Sequence, residues 1–190
     1  MRKKTISLLS IVLLSSCLGG YSPDSKFYRL PPLQQVAQTY NAKPSIAVLK
    51  IGLPEYIDRP QMIMFDETSP QIEIAEFNRW GEELSAMIQR KITADLATYL
   101  PQAKVIDAKE EVQNATLNVK VEIIRMDMMK QGKVVLQANW YVLNAKGKLL
   151  ATAKFMQQQN IAPNYADYAK ATAELLGKMS DRIAQSIAQI

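Results

Sequence analysis

The sequence contains no histidine and a single cysteine among its 190 residues. Without histidine there is no Ser-His-Asp or Cys-His relay and no imidazole ligand for a metal ion. A single cysteine excludes an intrachain disulfide and a cluster of thiolate ligands. Because the familiar routes to catalysis are closed, we predict no catalytic residue, no metal site and no cofactor.

The formal net charge of +5 comes largely from the start of the chain. Of the 23 lysines and arginines, three are Arg2, Lys3 and Lys4, and no acidic residue precedes Cys17. The rest of the chain therefore has 20 basic and 18 acidic residues, a net charge of +2. So small an excess is weak support for nucleic-acid binding, and we predict no nucleic-acid partner.

Residues 1–16 have the form of a lipoprotein signal peptide. A basic head precedes an apolar core that is shorter than the about 20 residues of a transmembrane helix. The following Leu14-Ser15-Ser16-Cys17 resembles the lipobox of bacterial lipoproteins. The resemblance implies cleavage after Ser16 and acylation of the Cys17 thiol, which would anchor the protein in a membrane. An ordinary signal peptide with an incidental cysteine is the alternative.

The residues after Cys17 bear on the destination of the protein. By resemblance to enterobacterial sorting, Leu18 in place of aspartate favours the outer membrane, with the protein facing the periplasm; the inner membrane is the alternative. Residues 17–26 contain glycine, serine and proline, which indicates the lipidated cysteine followed by a tether. Nine residues span at most about 30 Å, so the domain that follows stays near its membrane.

Residues 27–190 are predicted to form one domain. Apolar and alternating runs predict strands at residues 27–30, 45–51, 61–65, 71–75, 104–107, 115–123, 134–143 and 149–156. Apolar steps of three and four residues predict helices over residues 78–100 and from Asn164 onward. We therefore predict an α+β fold: an antiparallel or mixed β-sheet with a C-terminal three-stranded meander, and two amphipathic helices packed on one face.

Two short motifs carry a resemblance to a known family. Residues 53–61 read LPEYIDRPQ, and residues 78–84 read NRWGEEL. They are similar to the patterns LPxY(L/I)DRPQ and RWAEPL of PqiC-type lipoproteins, the ABC-type transport auxiliary lipoprotein components. Gly81 and Glu83 depart from the second pattern, where alanine and proline are common.

The resemblance implies a non-enzymatic role in the cell envelope. Such lipoproteins are thought to partner MCE-domain proteins, which build tubes that carry lipids, and to act as docking or conduit components at the outer membrane. A lipoprotein accessory factor for outer-membrane or cell-wall assembly is the alternative function. The exposed edge strands of two copies of the protein could also pair, so a homo-oligomer is a further possible assembly.

The charged and aromatic residues of the two motifs are the first candidates for a partner interface. In Asp58-Arg59-Pro60-Gln61, a carboxylate and a guanidinium lie beside a rigid residue. They can form a structural salt bridge within a turn, or they can pair with charges on a partner. For Arg79-Trp80 the alternatives are an interface or, for the tryptophan, a place in the core at the head of the first helix.

Met126, Met128 and Met129 are the second group of candidates, near the predicted tip of a hairpin. Flexible thioethers suit an apolar surface that touches lipid or a partner. The alternative is a strand end that is buried against its neighbours.

Overall fold

A computed structural model describes residues 23–33, 35–108 and 114–190 of the chain. The predicted cleavage site at Ser16, the predicted lipid attachment at Cys17 and most of the tether lie outside the described residues. In the part that is described, eight strands form one sheet and two helices pack against it. No helix among these residues is both long enough and apolar enough to cross a membrane.

The elements follow one another in an order that separates two halves of the chain. The first half contains β1 (Lys26–Tyr28), β2 (Ser45–Val48), β3 (Gln61–Asp66), β4 (Ser69–Trp80), α1 (Leu84–Tyr99) and β5 (Lys104–Asp107). The second half contains β6 (Leu117–Met129), β7 (Lys133–Asn144), β8 (Leu149–Asn160) and α2 (Tyr165–Ile187).

Strand β6 is the centre of the sheet. Along one edge it pairs antiparallel with β7, which pairs antiparallel with β8, so the predicted meander is confirmed. Along its other edge β6 pairs in parallel with β2 near its start and with β3 near its end. From there the sheet continues through β2 to β5 and through β3 and β4 to β1. The α+β fold with a mixed sheet is therefore confirmed.

The alternating pattern of β6 explains which face it buries. Leu117, Val119, Val121 and Ile123 point to the face that carries the helices, and each is at most 5% exposed. An irregularity between Ile123 and Arg125 then shifts the register by one residue, and Ile124 is 44% exposed. The sheet face opposite α1 and α2 is called the helix-free face below.

The register shift corrects the interpretation of the three methionines as an exposed apolar surface. Met126 and Met128 pair with Leu136 and Val134, so they return to the helix side of the sheet. Met126 is 1% exposed, Met128 2% and Met129 6%. All three are therefore buried at the end of a strand: the irregularity returns Met126 and Met128 to the core, and Met129 lies on the other face beside Phe65.

The start of the first helix also differs from the prediction. Strand β4 continues to Trp80, and α1 begins at Leu84, so Asn78 is in a strand and does not cap the helix. Trp80 and Leu84 are both buried and four residues apart, which is the spacing of a helical stripe. The stripe in the sequence therefore extends back beyond the helix itself. The second helix begins as predicted, since Asn164 Oδ1 accepts a hydrogen bond of 2.9 Å from Asp167 N–H.

A buried ion pair lies on α1. Lys91 Nζ donates to both Asp95 oxygens at 2.6 Å, and the two side chains are 2% and 0% exposed. Gly177 on α2 lies next to this pair and to Leu33. A side chain at position 177 would collide with Leu33, because an added Cβ would lie 2.9 Å from Leu33 Cδ2, and it would lie 3.9 Å from Asp95 Oδ2. Burial raises the pKa of Asp95, while the Lys91 charge acts in the opposite direction.

We expect Lys91→Ala to destabilise the fold by about 3–5 kcal/mol, because it leaves the Asp95 carboxylate buried without its counter-charge. The double variant Lys91→Met with Asp95→Leu should recover most of this loss. Urea unfolding measures both. Removal of the exposed Lys120–Glu122 pair by Lys120→Ala is the control, with an expected cost of about 1 kcal/mol or less. Equal losses in the free energy of unfolding for Lys91→Ala and Lys120→Ala would contradict the stabilising role of the buried Lys91–Asp95 pair.

Candidate docking surface

The first motif forms a turn that is held by its backbone. The Pro54 carbonyl accepts hydrogen bonds from Ile57 N–H at 3.1 Å and Asp58 N–H at 3.2 Å. Arg59 N–H donates to the Ile57 carbonyl at 2.9 Å, and the Ile57 side chain is 3% exposed. The conformation of the turn is therefore fixed without help from the Asp58 and Arg59 side chains.

The structure brings the two motifs together, although they are about twenty residues apart in sequence. Trp80 N–H donates a hydrogen bond of 2.7 Å to the Pro60 carbonyl, and Gln61 is in register with Arg79. On the other side of β4, Phe27 pairs with Arg79 and Tyr28 with Trp80. The turn, the end of β4 and the strand that follows the tether are thus neighbours.

Trp80 and Arg79 have different roles at this junction. Trp80 is 3% exposed and packs in the core as the last residue of β4. Its side chain is therefore not available to a partner. Arg79 is half-buried on the helix-free face, and its Nε donates to the Glu76 carbonyl at 3.1 Å.

The charges of the turn have no partner within the described part of the chain. Asp58 is exposed, and its carboxylate forms no hydrogen bond or ion pair there. Arg59 is half-buried, and its Nε is buried without a hydrogen-bond acceptor. The salt bridge between Asp58 and Arg59, one of the two alternatives, is not formed. Both charges are therefore free to pair with a partner.

Apolar side chains surround this turn on the helix-free face. The register pairs Ile74 with Ile63 and Ile72 with Phe65, and Phe65 in turn with Met129. Tyr56 of the turn packs edge-on against Phe65, with the ring centroids 6.0 Å apart. Phe27 is 67% exposed, Ile72 43%, Ile74 37% and Tyr56 36%. We call these four exposed residues the apolar end of the helix-free face.

Sequence reasoning missed the apolar end. Phe27 and Arg79 are 52 positions apart, and only the parallel pairing of β1 with β4 places them side by side. The sequence signal was the run from Ile72 to Phe77, in which Glu73 and Glu76 interrupt apolar residues. Most of this run was predicted only as part of a strand over residues 71–75.

The arrangement is similar to that of several solved structures. A crystal structure of an uncharacterised protein aligns with a TM-score of 0.71 at 19% identity, covering 87% of this chain and 99% of the other. Protein XCC0632 from Xanthomonas campestris, of family DUF330, aligns with a TM-score of 0.71 at 11% identity, covering 87% and 97%. A PelC dodecamer from Paraburkholderia phytofirmans gives 0.46 at 12% identity, covering 78% and 92%. At such identities the similarity to the first two structures is one of fold.

The sequence itself identifies the family. No curated protein is significantly similar to the chain. The model of the family described as "ABC-type transport auxiliary lipoprotein component" matches residues 28–184, which include both motifs, the sheet and most of α2. The chain therefore belongs to the family of ABC-type transport auxiliary lipoprotein components.

Proposed function

We propose that this lipoprotein is a non-enzymatic docking component of an MCE/ABC-type lipid transport system. In this proposal it is cleaved after Ser16, acylated at Cys17 and held at the outer membrane, facing the periplasm. Family membership supports a role beside a transport system. The PqiC-like motifs support an MCE-domain protein as the partner. Leu18 supports export to the outer membrane.

The observation that carries the docking role is the pair of unpartnered charges in the turn. Asp58 and Arg59 lie on a backbone fixed by hydrogen bonds from Pro54 to Arg59. A rigid turn loses little conformational entropy when it binds, so charges placed on it add more affinity than charges on a flexible loop. Arginine in addition offers a planar fork that matches a carboxylate on a partner.

The surroundings of the turn favour an interface over a solvated loop. Tyr56 and the half-buried Phe65 lie beside it, and aromatic residues with arginine are the side chains enriched at binding hot spots. Burial and the nearby Asp127 carboxylate raise the pKa of the Tyr56 phenol, so it stays a neutral hydrogen-bond donor. A partner that offers a basic group to Asp58, a carboxylate to Arg59 and an apolar side chain to Tyr56 would fit this surface.

We expect Asp58→Lys to lower recovery of an MCE-domain protein about tenfold in crosslinked capture from the native envelope, because it places like charges at the interface. The matched control is Asp107→Lys, an exposed acid at the other margin of the sheet on β5. Both variants should keep the free energy of unfolding within about 0.5 kcal/mol of the parent.

Equal recovery with both variants would contradict the docking role of the turn. Capture of an outer-membrane barrel or a cell-wall synthase, with no MCE-domain protein, would instead support the accessory role in envelope assembly.

We expect Cys17→Ser to abolish incorporation of a palmitate analogue fed to the cells, because a hydroxyl cannot replace the thiolate in thioether formation. Density fractionation should then show loss of the protein from the outer membrane. Ser15→Ala is the control, since it keeps a small residue before the cleavage site and should leave labelling unchanged. Continued labelling of the Cys17→Ser protein would overturn the proposed anchor.

A further inference from the structure

We infer that the apolar end of the helix-free face rests on the surface of the anionic membrane that holds the anchor, with Phe27 inserted among the lipid headgroups. This inference rests on the proposed acylation of Cys17. It adds a second, non-covalent contact between the domain and the bilayer, and it fixes which side of the domain faces the membrane.

The first support is the exposure of Phe27. It is 67% exposed, the largest fraction among the exposed large apolar side chains of the described residues. Its register partner Arg79 and the next partner Gln61 place it on the helix-free face, together with Ile72 and Ile74. A contiguous group of exposed aromatic and aliphatic side chains marks an interaction surface, whereas single ones are ordinary.

The second support is the contrast within the same face. At the other end of the sheet, the register row of Glu122, Asn139 and Lys154 is polar, and so is the row of Lys120, Tyr141 and Thr152. Lys120 also pairs with Glu122 at 2.8 Å. These polar rows separate two groups of exposed apolar side chains on the face: Phe27, Ile72 and Ile74 along β1 and β4, and Ile124 and Met156 along β6 and β8. Only the first group adjoins the strand that follows the tether.

The third support is charge. Arg29 follows Phe27 by two residues, and Lys26 precedes it on β1, where it lies at the edge of the sheet on the same side as Tyr28. Neither Lys26 nor Arg29 forms an ion pair within the described residues. Arg79 lies beside Phe27 across the strand pair and uses only its Nε, on the Glu76 carbonyl. Basic side chains around an inserted aromatic ring are the pattern of an interfacial membrane contact, because they reach lipid phosphates while the ring enters the headgroup region. Asp24, Glu76 and Glu82 are the acids within three residues of these groups, and Glu82 pairs with Arg90, so the three basic groups exceed the two remaining acids.

The fourth support is the position of the tether, which selects a membrane over a protein as the occupant. Strand β1 begins at Lys26, nine residues after Cys17. Nine residues span at most about 30 Å, so the acyl anchor keeps β1 closer to the bilayer than the rest of the chain. Because the anchor already restrains the domain, even a weak contact by Phe27 is formed at high effective concentration.

The experiment uses the full acylated chain with Phe27→Trp, reconstituted in vesicles of brominated phosphatidylcholine and phosphatidylglycerol. The native tryptophans are buried, Trp80 at 3% and Trp140 at 2% exposed, so the unaltered protein supplies the baseline. Met156→Trp on β8 is the matched control, because Met156 is 63% exposed and lies on the strand farthest from β1 across the meander. We expect bromine to quench the tryptophan at position 27 at least about twofold more than the one at position 156.

Replacing phosphatidylglycerol by neutral lipid should reduce the difference, and so should Arg29→Ala with Arg79→Ala. Equal quenching at positions 27 and 156, in vesicles that hold the protein, would overturn the membrane contact and leave the anchor intact. Failure of the protein to stay with the vesicles would overturn the proposed anchor and the contact with it. Protection of position 27 from acrylamide by a co-purified protein, without lipid, would also overturn the inference by showing a protein occupant.

Discussion

The backbone hydrogen bond from Trp80 N–H to the Pro60 carbonyl joins the parts of the molecule on which its proposed roles depend. Pro60 has no N–H of its own, so its carbonyl is the only backbone group of this residue that can pair with β4. The Trp80 side chain is buried on the helix side and holds the end of β4 in place. Because β1 pairs with the same end of β4, one contact positions the charged turn next to the strand that follows the tether.

Local patterns allowed much of the fold to be predicted. The meander was recognisable because Leu117, Val119 and Val121 alternate with polar residues, and α2 because Asn164 precedes a long apolar stripe. The start of α1 was predicted wrongly, since Trp80 is in phase with Leu84 and the pattern alone cannot tell a buried strand end from a first helical turn. The branching of the sheet at β6 depends on parallel pairs between distant strands, which leave no local signal.

The candidate site was only partly predictable for the same reason. The motif around Asp58 and Arg59 was singled out by its resemblance, but the sequence left open whether the two charges pair with each other, and the structure does not form that pair. The methionines illustrate a different limit: a single extra residue at Ile124 reverses the faces of all later side chains, which moves Met126 and Met128 into the core. The exposed position of Phe27 could not be predicted from an apolar residue at the start of a strand.

The two faces of the sheet separate the residues that stabilise the fold from those proposed to bind. On the helix side, Lys91 and Asp95 are buried against α2, and Tyr99, whose pKa burial raises to about 12, adds a neutral phenol to the same layer. Removing one partner of a buried ion pair lowers the free energy of unfolding by several kcal/mol, so substitutions of Lys91 or Asp95 are expected to destabilise the protein strongly. On the helix-free face, Asp58 and Phe27 are exposed and contribute few contacts to the core, so their substitution costs the fold little. Charged and apolar groups can therefore be displayed there for a membrane and a partner, because the free energy of folding is supplied from the opposite face.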